Sequence, residues 1–155
     1  DHYAALIDIL QNDPDRIVRS QAALTLGRYS EKYYAIGFNP LSESLHNDSS
    51  LFVRAASAVS LSAVRDSRAV APLIESLRDD ARGEVEITLG DKVMVYRACP
   101  SDAARTSLEK IMGMSFDSAA AVADQKRVEI ARQWEDWYDP RAGFFPSSQT
   151  AVAKQ

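Results

Sequence analysis

Apolar residues follow a helical period along most of this chain. Tyr3, Leu6, Ile7 and Leu10 keep the i, i+3, i+4, i+7 spacing of one helix face, and Val18, Ala22, Leu26 and Tyr29 form a second stripe. Asn12-Asp13-Pro14 separates them. Asp13 suits an N-cap, and Pro14 suits a first helical position, where its missing N–H costs nothing. The pattern then recurs: Asn12 and Asn47, Val18 and Val53, and Leu26 and Leu61 are each 35 residues apart. A period in this range marks an array of helical repeats, each pair too small to bury its own faces alone.

Residues 30–38 link the two clear units and carry Tyr33, Tyr34 and Phe38. These rings either plug the seam between repeats or form an exposed patch for a partner. Asn39-Pro40 is expected to restart a helix with Leu41 and Leu45 inward. Asp48 is expected to cap a helix with apolar positions at Phe52, Val53, Ala56, Val59 and Ala63. A third unit opens at Asp66; its Leu73 follows Leu41 by 32 residues, and Pro72 should break or kink its first helix.

The helical pattern then stops. Glu84–Leu89 and Lys92–Tyr96 alternate β-branched and polar residues around Gly90-Asp91, which predicts a β-hairpin with a two-residue turn. Pairing Leu89 with Lys92 puts Val85, Ile87, Leu89, Met94 and Tyr96 on one face. It puts Glu84, Glu86, Thr88, Val93 and Val95 on the other, with Glu84 opposite Arg97. The apolar face must rest on something, because a lone hairpin is marginal in water. Helix resumes at Pro100, with Ala104, Leu108, Ile111 and Met112 inward and Gly113 as its stop. A last helix is expected from about Ala119 to Tyr138, with Val128, Ala131, Trp134 and Tyr138 on one side, widened by Ile130 and Trp137.

The expected organisation is a repeat domain over 1–138 (repeats at about 1–37, 38–66 and 67–113, and a closing helix at 118–138). A flexible tail follows at 139–155. The 155 residues suffice for one buried core. The chain begins at Asp1, not Met, and in mid-repeat, which predicts a fragment or a processed chain.

Composition narrows the chemistry. A net charge of −4 offers no basic field for phosphate and argues against a nucleic-acid binder. No apolar run has transmembrane length. Cys99, the single cysteine, cannot form an internal disulfide and reports no redox compartment; a cytoplasmic and an exported location both stay open. There is no glycine-rich phosphate loop, no G-x-S-x-G and no His or Cys pair at metal spacing, so no cofactor, metal or catalytic residue is assigned. His46 at a helix end reads as a surface contact, and Cys99 as a small packed thiol. Trp134 and Trp137 read as a cap on the last hydrophobic layer, with ligand stacking the alternative.

Asp13…Val18-Arg19…Ala22-Ala23…Leu26-Gly27 resembles the HEAT repeat family, in particular the short bacterial HEAT-like repeats first noted in phycobilin lyase subunits. The second unit keeps Asp48, Val53-Arg54, Ala58 and Leu61 but departs at Ser57, Ser60 and Ser62, where the family favours Ala or Gly. Asp66–Leu77 is similar to the family's first helix, and Leu108–Asp117 with Trp134-Glu-Asp-Trp137 is similar to its closing segment. The resemblance implies an all-α superhelix, an α-solenoid interrupted by the hairpin near 84–96. It also implies an Asp–Arg ladder in which Arg19 and Arg54 engage Asp13 and Asp48. No motif supports carrying over lyase activity.

In that family the free positions of the second helices face the concave surface. Here they are Ser20, Leu24 and Arg28, with repeat mates Ala55, Val59 and Ala63. Being small or apolar, they suit a groove for a helix or an extended peptide, or else packing against the hairpin or a preceding repeat. The expected function is a non-enzymatic scaffold for a protein or peptide, with Tyr33 and Tyr34 as further contacts. The alternatives are a cofactor- or chromophore-handling protein using Cys99, Trp134 and Trp137, and DNA binding, which the acidic balance disfavours.

Overall fold

The computed structural model describes residues 2–29, 31–63, 66–116 and 124–138. The expected tail at 139–155, the start of the last helix and the side chains of Tyr33 and Tyr34 lie outside that description. Seven α-helices and one hairpin are described: α1 (His2–Asn12), α2 (Arg16–Arg28), α3 (Glu31–Asn47), α4 (Leu51–Leu61), α5 (Val70–Ser76), β1 (Gly83–Leu89), β2 (Lys92–Ala98), α6 (Pro100–Met112) and α7 (Asp124–Trp137). A single 3-10 turn, Ser67–Ala69, leads into α5.

The helices form two layers. α2, α4 and α6 stack side by side; α1, α3 and α5 lie against them as an outer layer, and α7 closes the array against α5. The core runs between the layers through Leu10, Leu26, Leu41, Leu45, Val53, Leu61, Leu73 and Leu108. The interfaces between second helices are held by serines as well as apolar groups. Ser60 Oγ donates to the Ala23 carbonyl at 2.7 Å, and Ser107 Oγ donates to the Ala58 carbonyl at 2.9 Å. Ala23 and Ala58 are repeat mates, so one hydrogen bond is reused at successive interfaces. The close approach needs Gly27, where a Cβ would stand 2.8 Å from the Ser60 Cα. Of the departures from Ala and Gly, the one at Ser60 is thus part of the packing, whereas Ser62 bonds the Val59 carbonyl of its own helix.

The Asp–Arg ladder exists, but its rungs cross between repeats. Arg19 bonds the Asp48 carboxylate through Nε and Nη2, both at 2.9 Å, and takes only the backbone carbonyl of Asp13 at 2.8 Å. Arg54 likewise bonds Asp79 at 2.6 Å and the Asp48 carbonyl at 2.8 Å. Each arginine ties its own repeat's turn to the next repeat's carboxylate.

Several local expectations are corrected. The N-caps are Asp15 and Ser50, two residues beyond Asp13 and Asp48. The Asp13 and Asp48 carboxylates instead accept from the N–H groups of Asp15 and Ser50, each at 2.8 Å, and shape the turns. α3 does not restart at Pro40 but runs through it. The carbonyl that Pro40 leaves without a helical donor belongs to Ile36, an exposed residue. Pro72 neither breaks nor kinks α5, because it falls in the first turn, where N–H groups have no helical partner. Val18 and Tyr29, 40% and 39% exposed, leave the α2 stripe, and Ala22, Ala23 and Leu26 carry the burial. On α7 the buried face is Ile130, Ala131 and Trp134, with Val128 exposed. Of the link aromatics, Phe38 packs against the core beneath the Arg68 guanidinium, 4.8 Å from its ring centroid. Gly113 ends α6 in the left-handed conformation, as expected (φ 67).

The hairpin register is the predicted one at every pair, from Leu89↔Lys92 to Glu84↔Arg97, and adds Gly83↔Ala98.

α7 is pinned by Arg78, whose Nε and Nη2 both lie 2.8 Å from the Glu135 carboxylate. Arg78 holds Glu135 below its ordinary value of 4.5. The side-chain hydrogen bond from Arg68 likewise lowers Asp66 from 3.8. A depressed folded-state value gives stability that is present above the ordinary value and lost as pH falls through the folded one. The melting temperature should therefore hold above about pH 5 and fall below about pH 4. Arg78→Ala should shallow that fall slightly, the pair being exposed. Thermal melts across this range check it; an unchanged slope would show the pair to be inert.

Candidate functional site

One cleft of about 700 Å³ opens where α4, α6, the hairpin base and α7 converge. Its floor is apolar: Ala55 and Val59 from α4 and Ala103 from α6. Ala55 is buried, whereas Val59 is 48% exposed.

The hairpin base forms one wall because its apolar face rests on the start of α4. The Tyr96 ring lies 5.7 Å from that of Phe52, and Arg16 covers Phe52 at 5.2 Å. A Cβ on Gly83 would come within 3.1 Å of Leu51, so the strand enters close to the helix. Burial raises the Tyr96 phenol above its ordinary value of 10.0. The polar face of the hairpin brings Glu84 and Arg97 to the rim, paired at 3.0 Å, with Arg82 beside them.

The opposite wall is the start of α6, with Cys99 as its N-cap and Pro100 as its first residue. Arg127 reaches in from α7. Its Nη2 donates to Asp102 Oδ2 at 2.8 Å, and its Nη1 lies 3.7 Å from Cys99 Sγ. Cys99 Sγ also lies 3.2 Å from Ser101 Oγ. The chemistry offered is an apolar strip bordered by fixed ion pairs, which suits holding a chain segment. Among the described residues no group of three or more His, Cys, Asp or Glu side chains is placed to hold a metal ion.

Of the positions singled out from the repeat, Ala55 and Val59 line this cleft. Leu24 is half-buried on α2, and Arg28 and Ala63 are exposed near the ends of α2 and α4. Ser20 is buried, its hydroxyl donating to the Ile17 carbonyl at 2.9 Å. Trp134 and Trp137 do not join Cys99 in the cleft: Trp134 is fully buried against Phe116 and Trp137, in edge contacts with centroids 4.9 and 5.6 Å apart.

Asp102 and Arg127 were not picked out from sequence, although Asp102 was within reach. Ser107 holds in α6 the place of Ser60 in α4, 47 residues on, because the hairpin lengthens the third unit. In that register Asp102 is the mate of Ala55 and Thr106 the mate of Val59. No spacing signal points to Arg127, which arrives through tertiary packing.

The family model described as HEAT repeats matches residues 3–89, more than half of the chain, from α1 to the end of β1. No curated protein is significantly similar to the chain in sequence.

Proposed function

The chain belongs to the HEAT repeat family, and from that premise we propose that it is a non-enzymatic scaffold whose concave surface binds a protein or peptide partner. HEAT repeats are protein-interaction scaffolds in general. Residues 1–138 serve as the repeat domain and 139–155 as a tail to it. The observation that carries the proposal is the open apolar floor at Ala55, Val59 and Ala103 between the hairpin and α7. The repeat's charged positions, Arg19, Asp48, Arg54 and Asp79, are engaged with one another in the scaffold. No described helix is long and apolar enough to cross a membrane.

Leu24→Asp combined with Val59→Asp should weaken partner capture at least about tenfold, or about 1.4 kcal/mol, while the circular dichroism stays helical. Capture with the whole chain, read by mass spectrometry and compared with the double variant, measures this. Binding that survives in the folded double variant would move the site off the concave surface.

A second use of the same cleft is the handling of a cofactor or chromophore, favoured by the Cys99 thiol in its wall. Copurifying visible absorbance, or an adduct at Cys99, would replace the scaffold assignment.

A further inference from the structure

The sheet has two strands only, so among the described residues each strand has one open edge. In a two-residue hairpin the pair flanking the turn, Leu89 and Lys92, exchanges both backbone hydrogen bonds, and every second pair after it does the same. Met94, Tyr96 and Ala98 thus spend their N–H and C=O groups on β1. Those of Val93, Val95 and Arg97 point outward.

Side-chain exposure agrees. Val93, Met94 and Val95 are 60%, 57% and 48% exposed, although successive residues point to opposite faces. Among the described residues, neither face of the outer half of β2 is covered. Of their partners on β1, Ile87 is half-buried, and Glu86 and Thr88 are exposed.

Charge then selects the occupant. β2 carries Lys92 and Arg97 and no acid, while β1 carries Glu84 and Glu86 and no base. The charged side chains of β2 are Lys92 and Arg97, of which Arg97 is already paired with Glu84; opposite charges in cross-strand positions stabilise where like charges repel. A second copy's β2 is disfavoured for that reason. A second copy's β1 matches in charge, but that pairing is heterologous and builds a ring or an open filament, not a two-fold dimer.

We propose that the outer edge of β2 is a strand-addition site for an extended, acidic segment of a partner protein, in which Asp or Glu alternates with apolar residues. The site meets the concave cleft only at its base, where Arg97 stands on the rim; Lys92, Val93 and Val95 lie outside the cleft lining.

A displayed library of random decapeptides, selected on the whole chain, tests this. The enriched peptides should be acidic, alternating and free of proline at their centres, and their binding should weaken with salt. Val95→Pro removes one outward N–H and leaves the β1–β2 ladder intact; it should cost the selected peptide at least about tenfold in affinity, with Val95→Thr close to the parent. Lys92→Glu should lose a similar factor. Because proline could also disturb the hairpin, the selected peptide is N-methylated position by position on the unaltered chain. Loss of binding at every second position is the expected result. An absence of enrichment, an enriched set without acids, or indifference to N-methylation would overturn the proposal. So would concentration-dependent self-association that Val95→Pro abolishes, which would make a second copy the occupant.

Discussion

Replacing Trp134 by alanine is expected to destabilise the chain by about 4 kcal/mol, the scale of a large aromatic removed from a packed core. Trp134 is fully buried and is the largest such side chain. It joins α7 to Phe116, just beyond α6, through edge contacts that add to the area it buries. Its indole N–H has no hydrogen-bond partner among the described residues. Trp134→Phe keeps most of the apolar volume and removes that donor, so it should cost only about 1 kcal/mol. Denaturant titration of the two variants checks this. Equal losses would mean that the N–H is bonded and matters more than the volume.

Asp48→Ala is expected to cost about 2 kcal/mol, because it leaves a part-buried guanidinium without its carboxylate. The Arg19 and Asp48 side chains are 12% and 10% exposed. The hydrogen bond that Arg19 donates to Asp48 raises the already high arginine value, and a guanidinium stays charged even without it. Asp13→Ala separates the observed ladder from one built within each repeat. The Asp13 side chain accepts from Asp15 N in an exposed turn, and Arg19 touches only its carbonyl, which alanine retains. The Asp13 change should therefore cost about 1 kcal/mol or less. Similar costs at Asp13 and Asp48 would place the Arg19 contact on Asp13 instead. A double-mutant cycle on Arg19 and Asp48 measures the coupling directly.

These two sites mark where sequence reasoning stopped. The Val-Arg and Asp positions were legible as a repeated, structural set, because a constant interval of 35 residues shows in the letters alone. Which aspartate each arginine takes was not legible. The choice depends on how one repeat stacks on the next, and only the fold brings Asp48 beside Arg19. The helix starts were misplaced by two residues for a related reason. Asp13 and Asp48 have the chemistry of a cap, but turn geometry gave that place to Asp15 and Ser50. Pro40 and Pro72 misled because a proline's effect depends on where the helix began, and that is settled by packing.

The candidate site divides in the same way. Ala55 and Val59 follow from the repeat, and Asp102 follows once the hairpin is subtracted from the register. Arg127 and the hairpin's seat on Phe52 do not, since each joins segments without a shared period.

The sequence by itself determined the class of fold, the family, the hairpin and its register, since each rests on local periodicity or on turn chemistry within a few residues. The tertiary structure alone decided that the ladder crosses between repeats, that serines bond across the second helices, and that the cleft is walled by the hairpin and α7. Those features depend on distances between residues remote in the chain, set by how the helices stack.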